Sequence, residues 1–390
     1  MAVFAGPRSH GGLLSDRRKP TPDVLMFVIM VALMALGVLM VYSATFVRLE
    51  AEGLDPTGPM RRQMIFAGVA IVAFVVASIV DYRQYRNAAA FLFVAVVLVL
   101  FAVLFMPEQR SAQRWIPIGT FQLQPSEFAK LGVIMVVATI LAPASETGMR
   151  WARLIATVLV VSLPSFLIFR QPDLGTMMVF GFITLAMLFA AGTTFRQLLV
   201  LIGAGVAAVV AFWQLELLED YQVNRILGFL DQQSALESLN YNLDRSRIAI
   251  GNGGLFGQGL FEGPQTLLNF VPFQTSDFIF TAIGEQLGFI GGALVVGAYG
   301  ILIWRILVIA NGALDRFGSL VAVGIATMLI FHVFINIGMT VGVAPVTGLP
   351  LPFISAGGSA MIAMGGALGI VNNIWRSRSP VPGREYVPLN

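Results

Sequence analysis

Ten long apolar runs constrain this chain more than any other feature of its sequence. Most runs are roughly 18 to 24 residues long, and a transmembrane α-helix needs about 20 residues to cross about 30 Å of hydrocarbon. A soluble core would not need segments of this length so often. We therefore predict ten spans, near residues 24–47, 63–80, 88–106, 125–142, 153–169, 174–191, 198–215, 277–303, 318–340 and 353–375.

The composition indicates the same class of protein. Hydrophobic residues make up 57% of the 390 residues and charged residues only 12%, and the mean hydropathy is +0.82. An average soluble domain has about 25% charged residues, so this chain has too little polar surface for water. The predicted fold is an all-α polytopic membrane protein. The first run follows Arg17-Arg18-Lys19 and is too long for the apolar core of a signal peptide, so we interpret it as an uncleaved span.

The chain contains no cysteine and two histidines, which limits its chemistry. Disulfides, thiol nucleophiles and cysteine-ligated metals are excluded. His10 lies in the polar N-terminal tail. His332 lies in an apolar stretch without a second histidine nearby, so we interpret it as a hydrogen-bonded helix residue and not as a metal ligand. The net charge of +3 reflects basic loops of a membrane protein, and we expect no nucleic-acid partner.

The distribution of charged residues predicts the orientation. Ten spans place both termini on one side, which holds 14 basic and six acidic residues in its loops and tails, against nine basic and 13 acidic residues on the other side. Short cytoplasmic loops are enriched in Lys and Arg, so we expect both termini in the cytoplasm. The predicted organisation is a cytoplasmic tail at 1–22, one ten-helix transmembrane domain at 23–376 and a second cytoplasmic tail at 377–390.

One large loop, residues 216–276, joins the seventh and eighth spans and is expected outside the cytoplasm. It opens with Glu216, Glu219 and Asp220 and continues with a mixture of apolar and polar residues that is typical of short surface helices. It ends in a glycine-rich run at 251–259. This run lacks the GK[ST] ending of a phosphate-binding loop, so we interpret it as a flexible, close-packed turn. A loop of this length is normally functional.

Charged residues within or at the ends of spans are costly and therefore informative. Pro125 and Glu127 open the fourth span as expected of a helix N-terminus, with proline in the first turn and an acidic residue near the positive end of the dipole. Glu127 and Lys130 are three residues apart and can pair on one helix face. Lys130 is one of only two lysines. It is either half of a structural ion pair or a cation positioned for an anionic group.

Two other carboxylates lie where a loop meets a span. Asp173, in the tight turn that begins at Arg170, either caps the sixth helix or faces a site. Asp277 lies where the large loop re-enters the membrane and is followed by Phe278 and Phe280. The alternatives for Asp277 are a helix cap and a general base.

Residues 345–358 contain three prolines and three glycines, which break helix at membrane depth. Irregular backbone at that depth is tolerated only where it is buried in protein or lines a cavity. On physical grounds alone, two classes of function remain. One is a transporter with a polar path near the midplane, and the other is an enzyme whose anionic, lipid-linked substrate meets the outer face of the membrane.

Several motifs, in chain order, resemble the SEDS family, the shape, elongation, division and sporulation proteins of bacteria. The resemblance extends from the first span to the tenth. Two further strings, Ala112-Gln113-Arg114-Trp115 and Val346-Thr347-Gly348, are more similar to RodA-like elongation proteins than to FtsW-like division proteins. The family motifs are Arg114-Trp115-Ile116, Gln124-Pro125-Ser126-Glu127-Phe128-Ala129-Lys130-Leu131, Pro172-Asp173-Leu174-Gly175-Thr176, Ser276-Asp277-Phe278-Ile279-Phe280 and Gly348-Leu349-Pro350-Leu351-Pro352-Phe353-Ile354-Ser355.

The resemblance implies a peptidoglycan glycosyltransferase of the bacterial cytoplasmic membrane. It would polymerise lipid II, a disaccharide-pentapeptide on undecaprenyl pyrophosphate, at the outer face. It would work with a class B penicillin-binding protein, a transpeptidase that crosslinks the strands. The family's essential acidic residue falls on Asp277, which we expect to be catalytic. We expect substrate binding by Arg114, Trp115, Glu127, Lys130, Asp173 and Arg170.

The implied chemistry fits these residue types. Sugar transfer needs a base for the acceptor 4-hydroxyl and a means of stabilising the departing pyrophosphate. Asp277 suits the first role, and Arg114 and Lys130 suit the second, because arginine makes bidentate contacts with phosphate. A divalent cation, Mg²⁺ or Mn²⁺, is compatible with this chemistry, and no metal ligand is assigned.

The sequence departs from the family in two places. Many relatives have a histidine and an upstream glutamate within the stretch 272–276, and many have an aromatic residue and a serine within 355–360. Two other functions stay open. A flippase or transporter of a lipid-linked cell-wall precursor could use the same charges, and a scaffold could only recruit cell-wall enzymes.

Overall fold

The computed structural model describes residues 21–106, 114–119, 121–143, 149–216, 223, 237–268 and 270–377. Within these residues lie twelve α-helices and one antiparallel hairpin, in which Ile116 pairs with Leu123. The elements are α1 (Val24–Ala51), α2 (Gly58–Ile79), α3 (Tyr82–Val103), β1 (Ile116–Ile118), β2 (Phe121–Leu123), α4 (Pro125–Leu141), α5 (Trp151–Phe169), α6 (Leu174–Ala190), α7 (Phe195–Gln214), α8 (Glu237–Asn252), α9 (Pro264–Leu267), α10 (Ile279–Asn311), α11 (Arg316–Val341) and α12 (Gly358–Arg376).

Each of the ten predicted spans coincides with one of these helices. In the described part of the chain, α1, α2, α3, α5, α7, α10 and α11 are long and apolar enough to cross a membrane, and α6 is a shorter apolar helix. The remaining two, α4 and α12, have 17 and 19 residues. The predicted all-α polytopic class is confirmed.

The centre of the bundle is α11. In the most apolar 18-residue stretch of α11, 72% of the residues are buried, whereas in the corresponding stretch of α7 only 6% are buried. It packs against α4, α6, α8 and α10, which come from distant parts of the sequence. Polar side chains on α11 can therefore join segments that the sequence separates.

Helix α10 is interrupted at Gly288, whose φ of +67° and ψ of −166° are not helical. The glycine-rich loop 254–259 lies against this break and pairs main-chain groups there. The Gln258 N–H, for example, donates to the Glu285 carbonyl at 2.9 Å. A Cβ on Gly257 would lie 2.1 Å from a carbonyl oxygen of α10, so this approach requires glycine. The predicted close-packed turn is confirmed.

The tenth span begins later than predicted. α12 starts at Gly358 and not at residue 353, because residues 350–357 form turns and include Phe353 with a φ of +68°. The prolines and glycines interrupt the helix, as the sequence indicated. The apolar residues Phe353 and Ile354 extended the hydrophobic run and placed the predicted boundary too early.

Parts of the predicted loop and of both tails lie outside the described residues. The stretch for which short surface helices were predicted, 227–239, lies almost wholly outside the described residues, as do Glu219 and Asp220, whereas α8 and α9 follow it in the loop. Residues 1–20 and 378–390 also lie outside the described part.

One end of the bundle carries five connections, which lie together because successive spans run in opposite directions. We call it the hairpin end. It holds the α1–α2 connection, the β1–β2 hairpin, the α5–α6 turn, the segment from α8 to α10 and the connection from α11 to α12.

Candidate active site

Two irregular segments meet at the hairpin end. The re-entry loop, residues 270–278, leads into α10, and the motif loop, residues 342–357, joins α11 to α12. The Ala356 N–H donates to the Thr275 carbonyl at 2.8 Å, and the Ser355 hydroxyl donates to the Ser276 carbonyl. These hydrogen bonds hold the two predicted motifs side by side.

Asp277 lies where the two loops meet. The N-cap of α10 is Phe278, whose side chain makes no capping hydrogen bond, so Asp277 lies one residue before the N-cap position. The residue is partly exposed. A Cβ built on Gly348 would lie 3.4 Å from Asp277 Oδ2, which places the carboxylate against the exposed main chain of Gly348. The role of general base stays a prediction.

Glu127 and Lys130 form the ion pair that their spacing predicted. Lys130 Nζ lies 2.7 Å from Glu127 Oε1, and the side chains of Lys130 and Glu127 are 1% and 4% exposed. Nζ also lies 2.9 Å from His332 Nε2, and His332 Nδ1 lies 3.2 Å from the Pro350 carbonyl oxygen. A carbonyl can only accept, so we place the ring proton on Nδ1 and let Nε2 accept from the ammonium. His332 is a hydrogen-bonded helix residue, as predicted.

Asp173 caps α6 and also faces Arg114. Its carboxylate accepts from the Thr176 N–H at 3.1 Å and from the Thr176 hydroxyl at 2.9 Å. It lies 3.9 Å from Arg114 Nη1 and 3.3 Å from the side-chain nitrogen of Gln124. Arg170 is the exposed C-cap residue of α5 and makes no ion pair among the described residues. The structure brings Arg114 and Asp173 together and leaves Arg170 outside this cluster.

A groove with a volume of about 950 Å³ opens at the hairpin end. Its walls come from α1, α2, the hairpin, the re-entry loop and the motif loop. Thr275 and Ser276, which immediately precede Asp277, line it, and Trp115 lines its hairpin wall. The groove therefore extends to the residues that directly precede Asp277, while Asp277 itself does not line it.

Two arginines line the groove, Arg48 from α1 and Arg62 from α2. Arg48 lies 3.8 Å from Glu52, and both side chains are about half exposed, so this pair is weak in water. Arg62 is exposed and makes no ion pair with another described residue. Both guanidinium groups can therefore take an anionic ligand.

Asp55 is the acidic residue in the groove lining. It accepts hydrogen bonds from the Thr57 hydroxyl at 2.7 Å and the Thr57 N–H at 3.0 Å and pairs with Arg61. These hydrogen bonds, and then the charge of Arg61, lower the pKa of the Asp55 carboxyl. Arg61 therefore balances the negative charge of Asp55. The charges of Arg48 and Arg62 then make the lining of the groove positive.

Sequence reasoning missed Asn336, Arg48 and Arg62 as residues of this end. The side-chain amide of Asn336 binds the main-chain oxygens of Asp277 and Leu349. Asn336 is a neutral residue within an apolar run, and nothing in its sequence neighbourhood indicates these contacts. The arginines carried a usable signal. Arg48 and Arg62 lie on the side of the membrane predicted to be poor in basic residues. The enrichment of cytoplasmic loops in Lys and Arg does not explain an arginine there, so a binding role could have been considered.

The described residues contain no group of three or more His, Asp or Glu side chains that could hold a metal ion.

A family model described as a cell cycle protein, and named for FtsW, RodA and SpoVE, matches residues 23–380. The chain belongs to this family. It is the SEDS family that the sequence motifs indicated. Stage V sporulation protein E of Bacillus subtilis (strain 168) is 36% identical to this SEDS protein over 363 residues, which cover 92% of this chain and 98% of that protein.

Two relatives with other names are similar at the same level. Peptidoglycan glycosyltransferase MrdB of Escherichia coli (strain K12) is 37% identical and covers 91% of this chain and 94% of its own length. The probable peptidoglycan glycosyltransferase FtsW of Trichlorobacter lovleyi is 35% identical and covers 90% and 92%. Because these identities are nearly equal, they do not assign this SEDS protein to one branch of the family.

Two solved structures share the fold. One comes from work on how a peptidoglycan synthase complex coordinates polymerization and crosslinking. Its TM-score is 0.77 at 30% identity, with 91% of this chain and 98% of that chain covered. The other is the rod shape determining protein RodA of Thermus thermophilus, with a TM-score of 0.68 at 28% identity and coverage of 92% and 98%. Both place this SEDS protein among polytopic helical membrane proteins.

Proposed function

We infer that this SEDS protein is a peptidoglycan glycosyltransferase that polymerises lipid II at the outer face of the bacterial cytoplasmic membrane. Its proposed general base is Asp277, and its proposed role is cell elongation. The observation that carries the proposal is the position of Asp277. Asp277 is partly exposed at the junction of two family motifs and directly follows Thr275 and Ser276, which line a groove of about 950 Å³ together with two arginines.

The proposed reaction joins the acceptor 4-hydroxyl oxygen to C1 of the donor sugar. The Asp277 carboxylate takes the hydroxyl proton as the new bond forms. The bond between C1 and the phosphate oxygen breaks, and undecaprenyl pyrophosphate leaves with the electron pair. Because the leaving group is already activated, the paired carboxylates of a glycosidase are not needed.

Cationic side chains at the hairpin end would stabilise the charge of the departing diphosphate. Arg48 and Arg62 line the groove, and guanidinium groups bind phosphate oxygens in a bidentate manner. Arg114, next to the lining residue Trp115, is 29% exposed and adds a third positive group. Lys130 is nearly fully buried, so its proposed contact with phosphate requires opening of the Glu127–Lys130–His332 cluster.

The remaining proposed substrate-binding residues act at the margins of this site. Trp115 offers a flat apolar surface in the groove wall to a sugar or lipid group. Asp173 fixes Arg114, since the two lie 3.9 Å apart. Arg170, exposed at the end of α5, would meet substrate at the membrane surface.

The proposed orientation places the hairpin end on the outer side and both termini in the cytoplasm, with tails at 1–22 and 377–390 around a transmembrane domain at 23–376. The excess of basic residues on the terminal side supports it. The proposed partner is a class B penicillin-binding protein. A related chain of the same fold was solved in a peptidoglycan synthase complex.

A reconstituted assay tests the activity. Purified chain, with a class B penicillin-binding protein, is placed in liposomes with labelled lipid II, and glycan polymer is measured. We expect polymer with the wild type and with Asp244→Asn, an exposed acid of α8, and none with Asp277→Asn. Polymer from Asp277→Asn at the wild-type rate would contradict the role of Asp277.

The same assay separates the alternative functions. A transporter would form no polymer but would move labelled lipid II across a sealed bilayer. A scaffold would form none and would move none, and Asp277→Asn would leave its recruitment of partners unchanged.

A second experiment tests the elongation role, which the strings 112–115 and 346–348 support. The gene is expressed in a rod-shaped bacterium depleted of either its elongation SEDS protein or its division SEDS protein. We expect rod shape to return in the first strain and filaments to persist in the second. Rescue of division alone would assign the chain to the FtsW-like branch.

A further inference from the structure

Asp277 lies on irregular backbone, so no helical hydrogen-bond ladder fixes its position. The re-entry loop curls around a single acceptor, the Phe273 carbonyl, which receives the N–H groups of Ser276 at 3.1 Å and Asp277 at 3.0 Å. Phe273 has a φ of +54°, a conformation that is unfavourable for a residue with a side chain. Other parts of the molecule must therefore hold this loop in place.

Three consecutive carbonyls of the re-entry loop each accept a hydrogen bond from another segment. Ala356 N–H binds the Thr275 carbonyl, and the Ser355 hydroxyl binds the Ser276 carbonyl. The third donor is the side-chain amide of Asn336 on α11. Its nitrogen lies 2.8 Å from the main-chain oxygen of Asp277.

The same amide group holds the segment beside the carboxylate. Asn336 Nδ2 also lies 2.8 Å from the Leu349 carbonyl oxygen, next to Gly348, against which the Asp277 carboxylate lies. One NH₂ group thus fixes the residue that carries the carboxylate and the segment that faces it.

Asn336 has no exposed surface, and its Oδ1 makes no hydrogen bond among the described residues. A buried amide oxygen without a partner costs free energy. A purely apolar residue would avoid that cost, so the two hydrogen bonds made by Nδ2 are the reason for an amide here.

We propose that Asn336 is a positioning residue for Asp277, holding the main-chain carbonyls of Asp277 and Leu349 so that the carboxylate meets the acceptor hydroxyl. This inference rests on the proposed function, because it requires Asp277 to be the base. Asn336 binds the main chain of the re-entry loop and would act on the carboxylate through it. A misplacement of about 1 Å costs on the order of 100-fold in rate.

The matched control is Asn372 on α12. It is also buried, and its side-chain amide also bridges two segments, since it accepts from the Asp23 N–H at 2.9 Å and donates to Ser78 at 3.1 Å. It lies at the end of the bundle opposite the hairpin. Asn336→Ser and Asn372→Ser thus remove comparable buried amides, but only the first faces the re-entry loop.

The experiment measures lipid II polymerisation by both variants with the class B penicillin-binding protein. We expect Asn336→Ser to lower kcat by about 10- to 100-fold, with KM within about twofold of wild type because the groove is untouched. We also expect a shift in the acidic limb of its pH–kcat profile. Asn372→Ser should keep kcat and pH profile at equal folded fraction. If Asn336 were merely structural, Asn336→Ser would lower the folded fraction, and the kcat and pH profile of its folded protein would match those of Asn372→Ser.

Two outcomes overturn the inference and are distinguishable. If Asp277→Asn is inactive while Asn336→Ser has the wild-type kcat, the positioning role is wrong and the proposed function stands. If Asp277→Asn polymerises normally, both fail. Should Asn336→Ser not fold, Ser355→Ala removes the neighbouring hydrogen bond to Ser276, and the same drop in kcat at unchanged KM is expected. A wild-type kcat for Ser355→Ala would then contradict the inference.

Discussion

The ammonium of Lys130 lies 2.9 Å from Nε2 of His332, a residue 202 positions away. This contact turns the ion pair of Glu127 and Lys130 into a connection between α4 and α11. Through His332 Nδ1 it continues to Pro350 in the motif loop. Asn336, one helical turn further along α11, binds the neighbouring Leu349 carbonyl and Asp277, so the hydrogen bonds of the two charged sites end on adjacent carbonyls of the motif loop.

The first prediction concerns Lys130. Lys130→Met leaves the Glu127 carboxylate buried without its partner, which costs about 3–5 kcal/mol, so we expect a large drop in thermal stability in detergent. The double variant Lys130→Met/Glu127→Gln removes the unpaired charge and should recover most of that stability. If the double variant also recovers polymerisation, Lys130 is structural only. If it stays inactive when folded, while Glu127→Gln alone is active, Lys130 acts on substrate.

The second prediction concerns Gly288, where α10 is interrupted. Gly288→Ala forces alanine to a φ of +67° and brings its Cβ to 2.3 Å from the Gly257 nitrogen. Backbone strain of this kind costs about 1–3 kcal/mol, and the clash adds to it. Thermal unfolding in detergent should show a clear loss of stability. Gly297→Ala, in the same helix with nothing within 4 Å of the new Cβ, should leave the midpoint near that of the wild type.

The third prediction concerns Arg62. If the groove binds a diphosphate, Arg62→Ala removes one charged hydrogen-bonding group. We expect KM for lipid II to rise by about 10-fold, which corresponds to about 1.4 kcal/mol. Arg196→Ala, an exposed arginine at the start of α7 and at the opposite end, serves as the control and should keep KM. An unchanged KM in Arg62→Ala would place the diphosphate elsewhere.

The fourth prediction concerns Glu285, which is fully buried. Its carboxylate accepts from the N–H groups of Gln265 and Thr266, both at 2.8 Å, and from the Thr266 hydroxyl at 2.6 Å. In Glu285→Gln an NH₂ group faces these donors, so at least one charge-assisted bond is lost at a cost of about 1.5–3 kcal/mol. Thermal melts should detect it. Glu262→Gln, an exposed neighbour, should melt like the wild type.

The spans could be predicted from the sequence because lipid imposes a fixed length of apolar residues. Local spacing also sufficed for the start of α4 at Pro125 and for the pair of Glu127 with Lys130, and it offered the cap at Asp173 as one of two alternatives. Each of these depends on residues within one helical turn.

The assembly of the site could not be predicted, because it depends on contacts between distant segments. Asn336 reaches Asp277 across 59 positions, and the groove needs α1 and α2 beside the motif loop. Hydropathy reports which residues enter the membrane but not which helices become neighbours. For the same reason the predicted start of the tenth span was too early, since the apolar residues of the motif loop are buried by packing and not by crossing the bilayer.

The interruption of α10 at Gly288 is not free to bend, because the glycine-rich loop is hydrogen-bonded to the helix on both sides of it. On one side Gln258 and Gly259 donate to the carbonyls of Glu285 and Gln286, and on the other side the N–H of Phe289 donates to Gly254. The angle between the two pieces of the helix is therefore set by the position of this loop. A displacement of this loop therefore also tilts the piece of α10 before Gly288 and moves Asp277, which directly precedes that piece.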